Sequence, residues 1–168
     1  MLHALTKAVA ILIITTLPSW AEDLAAPTGD VMLTVSGSVE NTNADAAAQL
    51  DLAMLQALET TTIETSTIWT EGVQVFEGVS LATLVKDLGI TGKTMRATAI
   101  NDYAVDVPLS DAIEGGPIVA YRMNGDIMSV RDKGPLWIVY PYDSDADYRT
   151  EVIYSRSIWQ LDRIVVLD

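Results

Sequence analysis

The sequence has 168 residues, with 10 Lys and Arg against 23 Asp and Glu, a formal net charge of −13, no cysteine and a single histidine, His3. An acidic surplus of this size repels nucleic-acid phosphates and anionic membrane surfaces, so nucleic acid is excluded as a partner. The missing cysteines exclude a disulfide scaffold, a thiol nucleophile, a thiolate metal site and haem attachment through cysteine.

Met1 to Ala21 reads as a secretory signal. Lys7 and His3 lie near the start, an apolar run follows from Ala8 to Leu17, and Ser19-Trp20-Ala21 sets small residues at the −3 and −1 positions before Glu22. The apolar run falls well short of the roughly 20 residues that span a bilayer. The expected product is therefore periplasmic or secreted, with no stable membrane span after cleavage. Losing Lys7 takes its net charge from −13 to −14 and leaves it without histidine, the side chain whose ordinary pKa suits proton transfer near neutrality. One domain of this size closes a core without metal or disulfide.

Residues 22–30, with Pro27 and Gly29, read as a flexible lead, and 31–168 as the domain. Val31 to Val39 alternates with strand period. Asn41 to Asn43 offers N-caps for a helix from about Ala44 to Leu58, whose apolar positions Leu50, Met54, Leu55 and Leu58 recur at three and four. Thr60 to Trp69 is β-branched and reads as a strand, and Val73 to Phe76 as another. Ser80 opens a helix, Leu81 to Leu88, that stops at Gly89. Thr94 to Ile100 and Ala104 to Val107 form a hairpin through Asn101-Asp102, and Pro108 to Ala112 one helical turn. Pro117 to Met123 turns at Asn124-Gly125 into Asp126 to Val130. Leu136 to Tyr140 reads as a buried strand, Asp143 to Asp147 as a loop, Tyr148 to Tyr154 as helical, and Trp159 to Leu167 as the closing strand. Short strands and few helices, without regular alternation, give an α+β class with a mixed sheet.

Five landmarks occur in order: Phe76-Glu77-Gly78-Val79-Ser80-Leu81, Asn101-Asp102-Tyr103-Ala104-Val105, Ile118 to Asp126 with Asn124-Gly125, Gly134-Pro135-Leu136-Trp137 on to Pro141, and Ser157 to Ile164 with Trp159. This order resembles the molybdopterin-binding oxidoreductase domain, the fold of sulfite oxidases and of bacterial periplasmic methionine-sulfoxide reductases of that type. The resemblance covers about Val31 to Leu167. It implies a molybdenum–pterin cofactor, with one cysteine thiolate on the metal from the segment before the Gly78 helix start, and histidines, arginines and lysines on the pterin and its phosphate. Here that segment runs Thr61 to Trp69 and offers Thr65, Ser66 and Thr67, hard and poorly ionised alcohols in place of a soft anionic sulfur. The resemblance therefore implies the fold, while molybdopterin itself is expected to be absent. The reading is a non-catalytic module that binds a small ligand or serves a membrane-bound sensory protein. The alternative is a molybdopterin-dependent oxidoreductase with a cysteine-free metal site.

The pocket that the resemblance implies would be lined by Thr65, Ser66, Thr67, Trp69, Asn101, Asp102, Tyr103, Arg131, Lys133, Tyr142, Arg149 and Arg156. Arg131, Lys133, Arg149 and Arg156 could converge on a small anionic ligand, since guanidinium forks match carboxylate and phosphate. Ordinary pairing with Asp143, Asp145, Asp147 and Glu151 competes with this. Asp143 to Asp147 alternates carboxylates as a calcium loop does, but Tyr148 and Tyr154 stand where glycine and glutamate are required. Trp137 and Trp159 lie in expected strands and read as core, leaving Trp69 as the pocket indole. No nucleophile elbow, Ser-x-x-Lys motif or glycine-rich phosphate loop is present.

Overall fold

Alternation builds the first strand, β1 (Val31–Gly37), which buries Leu33 and Val35 completely. The computed structural model describes residues 24–168, so the signal segment and the first two residues of the lead lie outside the described residues. Strands β2 (Ala47–Asp51), β5 (Thr94–Ala99), β6 (Ala104–Pro108) and β10 (Leu161–Leu167) join β1 in one sheet of order β2-β1-β10-β5-β6. β1 and β10 run parallel and the other neighbours antiparallel, so the sheet is mixed.

The second sheet has the order β3 (Thr60–Ser66), β4 (Val73–Ser80), β7 (Ile118–Met123), β8 (Asp126–Ile127). β9 (Trp137–Val139) pairs with the first half of β7, beyond the reach of β8. Gly78 is required where β4 crosses β7, because a Cβ there would sit 2.2 Å from the Val119 carbonyl oxygen. The sheets are stitched by the segment leading into β10. Ile138 donates its N–H to Ile158 O at 2.9 Å, and Leu161 to Leu136 O at 3.0 Å. The core runs through both sheets, from Leu33, Leu50 and Ile164 to Phe76, Trp137 and Tyr140.

Three short helices complete the domain: α1 (Leu52–Ala57), α2 (Leu81–Asp87) and α3 (Glu151–Arg156), capped by Asp51, Ser80 and Thr150. The α+β reading holds. Helix Ala44–Leu58 is corrected: Ala47 to Asp51 pairs with β1 as a strand, and only its end is helical. The Asn43 amide, expected to cap a helix, instead accepts from Gln49 N–H and donates to Gln49 O, folding the chain back onto itself. Asp51 caps α1 through Met54 N–H at 2.8 Å and also accepts Thr28 and Gly29 N–H, each at 2.8 Å. These bonds, Met54 first, hold its carboxyl below the usual range and tie the described part of the lead to β2.

Other boundaries move for local reasons. The strand expected to reach Trp69 ends at Ser66, where side-chain bonds take over. The one expected to reach Val130 stops at Ile127, and Val130–Asp132 makes a 3-10 turn closed by Lys133 at φ 71°. The helix expected over Tyr148–Tyr154 begins only after Thr150. The closing strand starts at Leu161, because Gln160 at φ 53° breaks the extended run.

Candidate functional site

The tip of the β3–β4 hairpin carries the segment in which the metal-ligating residue was expected. Thr65 is fully buried. Its hydroxyl donates to Ser66 O at 3.2 Å and accepts from Asp143 N–H at 3.1 Å. Ser66 donates to the Asp143 carboxylate twice, from N–H at 2.6 Å and from Oγ at 2.7 Å. These two bonds lead in holding the Asp143 carboxyl below the usual range. Thr67 Oγ1 shares a hydrogen bond with Thr70 Oγ1 at 2.7 Å and accepts from Trp69 N–H at 3.0 Å, a local side-chain turn that fixes where the indole leaves the backbone.

Trp69 is the centre of an aromatic cluster. Its ring lies 5.8 Å from Trp137, 6.3 Å from Tyr142, 5.7 Å from Tyr154 and 5.4 Å from Trp159, all edge to face. Each such pair contributes about 0.5–1.5 kcal/mol beyond the area it buries. The floor is anchored. Trp137 Nε1 donates to Ser157 O at 3.1 Å, and Tyr142 OH donates to Ser157 Oγ at 2.6 Å. Burial pushes the Tyr142 phenol up to about 12, so it stays a neutral donor across the physiological range.

Beside this cluster opens a cavity of about 310 Å³. Trp69, Tyr154 and Trp159 wall it, Asn101 and Tyr103 reach it from the β5–β6 turn, and Ser155, Ser157 and Gln160 supply polar edges. Asn101 Oδ1 accepts from Tyr103 N–H at 3.2 Å, and Asp102 stands at φ 66°, so the turn residues the sequence singled out do shape the rim.

The structure sorts the expected site residues. Trp69, Asn101 and Tyr103 line the cavity, and Thr65, Ser66 and Thr67 lie at the foot of the Trp69 loop without lining it. The four cations are dispersed, and none of them lines the cavity. Arg131 is exposed on the 3-10 turn. Lys133 Nζ sits 4.9 Å from the Trp159 ring centroid and 5.7 Å from that of Trp137. Arg149 donates to Tyr142 O at 3.3 Å. Arg156 donates to Asp111 Oδ2 at 2.9 Å, and the same oxygen takes the Tyr140 hydroxyl at 2.7 Å. Burial, then this bond to Asp111, keeps the Tyr140 phenol protonated. Competition from carboxylates thus decides the fate of Arg156. Trp137 is core as expected, but Trp159 is 36% exposed and belongs to the cavity wall. Sequence reasoning passed over Ser155, Ser157 and Gln160. The available signal was their polarity on both sides of an indole, at odds with a buried strand.

The model of the oxidoreductase molybdopterin binding domain matches residues 25–144, well over half of the chain. The chain belongs to that family. Among solved structures, the sulfane dehydrogenase SoxCD from Paracoccus pantotrophus is similar, with a TM-score of 0.60 at 18% identity. The likeness covers 86% of this chain but only 40% of that protein, and at this identity it shows the fold alone. No curated protein matches the sequence.

The donor set does not fit a metal held through a protein thiolate. The chain has no thiolate to offer, and Thr65, Ser66 and Thr67 already spend their hydroxyls on Ser66 O, Asp143 and Thr70. Freeing Thr65 would also strip Asp143 N–H of its acceptor. Among the described residues, no three His, Cys, Asp or Glu side chains gather as metal ligands.

Proposed function

We propose that this chain is an exported, non-catalytic module that binds a small ligand in the cavity beside Trp69 and reports its occupancy to a membrane-bound sensory protein. The observation that carries the reading is the contrast at the hairpin tip. The position from which the family's metal would be held is closed by hydrogen bonds, while an aromatic cavity stands open next to it. Its volume lies at the lower end of the roughly 300–1,000 Å³ of small-molecule clefts, and its mix of ring surface and a few amide and hydroxyl groups suits a compact ligand. Ile68 and Val73, 61% and 62% exposed at the same tip, offer a partner an apolar foothold whose position depends on the Trp69 loop. Among the described residues no helix is long and apolar enough to cross a membrane.

Family membership supports a second reading, molybdopterin-dependent oxidoreduction through a cysteine-free site. One preparation separates the two. The full-length precursor is expressed in a molybdopterin-producing bacterium, recovered from the exported fraction, and analysed for molybdenum and for co-purifying small molecules by native mass spectrometry. The expected result is a chain beginning at Glu22, without stoichiometric molybdenum, carrying or binding a small molecule that a Trp69→Leu variant loses. Stoichiometric molybdenum would overturn the non-catalytic reading, and retention of the leader in the cytoplasm would overturn export.

A further inference from the structure

The cavity walls are aromatic and carry no charge. Trp159 and Tyr154 stand at 76° and 85° to the Trp69 ring, so each meets that indole steeply, and Tyr103, 58% exposed, lines the cavity from the β5–β6 turn. A ring face is electronegative and its edge electropositive, so a compact cation is attracted wherever such a cavity presents ring faces to it. The molecule already uses this attraction. In a chain where acids outnumber bases by 23 to 10, Lys133 places its ammonium over the Trp159 and Trp137 rings. Lys133 does not line the cavity and so leaves it free. Next to the rim, Arg163 is shared between Asp102 and Asp162, which leaves carboxylate in surplus there. The negative net charge raises the local concentration of any cation.

The lining also narrows the kind of cation. A primary ammonium that sheds its water needs strong oxygen acceptors for its N–H groups, but no carboxylate lines the cavity, Asn101 Oδ1 already takes Tyr103 N–H and Ser157 Oγ already takes the Tyr142 hydroxyl. A fully methylated ammonium has no N–H to satisfy and presents only methyl groups to the rings. We propose that this cavity binds a small quaternary ammonium compound, an inference that rests on the cavity being a ligand site. Asn101 and Gln160 would then meet a hydroxyl or carbonyl elsewhere on the ligand.

Isothermal titration of the purified chain with choline, and with its uncharged carbon analogue 3,3-dimethylbutan-1-ol, tests this. Choline is expected to bind at one site, about tenfold or more tightly than the analogue, the difference that ring–cation attraction supplies in a desolvated setting. Lys133→Gln, which removes a like charge, is expected to tighten choline binding. Tyr103→Ala and Trp159→Leu are expected to weaken it, while Trp159→Phe, which keeps a ring face, retains most of it. Thermal melts of each variant establish that it is folded. Equal affinity for choline and the carbon analogue would overturn the cation reading and leave the small-ligand reading standing. So would the failure of choline to bind a protein that still retains a co-purified molecule through Trp69. If choline and the analogue both fail, and Trp69→Leu alters no retention, both readings fall together.

Discussion

Thr65 and Trp69 sit four positions apart at one hairpin tip and face opposite demands. Thr65 is sealed. Its hydroxyl both donates and accepts, its neighbour Ser66 is clasped by Asp143, and nothing there is left for a ligand. Trp69 has its backbone pinned by Thr67 and its ring held by four others, yet one side of that ring borders a cavity. Two positions of one hairpin tip thus differ in what they leave open: hydrogen bonds close the first, and the second borders a cavity. Polar groups that have no ligand must find protein partners or be lost to water, whereas ring surface can stay exposed at little cost.

The comparison breaks most completely beside the Trp69 ring, at an indole that packs against both the cavity wall and the core. Trp137→Ala removes a fully buried indole that contacts Phe76, Trp69 and Trp159. It is expected to cost about 3–5 kcal/mol in chemical denaturation and to abolish ligand binding, by loosening the cavity wall as well as the core. Thr65→Val should act on the sealed side alone. The shape is kept, but Asp143 N–H loses its acceptor, for an expected cost of about 1–2 kcal/mol with ligand binding unchanged in titration.

The sequence made part of this arrangement legible. Trp69 stands beside the turn signal Glu71-Gly72, although the strand expected to include it ends at Ser66, and Asn101-Asp102 and Asn124-Gly125 carry turn chemistry that the φ values of Asp102, Asn124 and Gly125 match. The helix misread over Ala44–Leu58 shows what local spacing misses. Leu50 fits a helical stripe as well as a strand, and the decision came from β1, which pairs Leu50 with Leu33. The four cations were illegible for a related reason. Whether Arg156 meets a ligand or Asp111 depends on a 3-10 turn 45 residues away bringing that carboxylate up against α3. No spacing in the sequence encodes that meeting.

Two smaller effects sharpen the contrast. Asp143 is held ionised in the folded protein more strongly than in the unfolded chain, so its contribution is complete above about pH 4 and fades as pH falls further. Asp143→Asn should therefore flatten the acid side of the stability profile, read as a smaller loss of denaturation midpoint between neutral pH and pH 3. An unchanged acid limb would show that the Ser66 clasp is not the proton-sensitive element. The smallest effect belongs to Trp159→Phe, expected to stay within about 1 kcal/mol of the parent, since Trp159 is partly exposed and a phenyl ring can keep its contact with Trp69.

The described residues contain three indoles, at positions 69, 137 and 159, and all three belong to this one cluster, with centroids between 5.4 and 6.2 Å apart. Chromophores this close and steeply inclined to one another couple their electronic transitions. The native protein should thus show a paired circular-dichroism band that depends on the angles between these rings. No other indole lies among the described residues, so the part of the spectrum that arises from coupled indoles reports on this corner of the molecule.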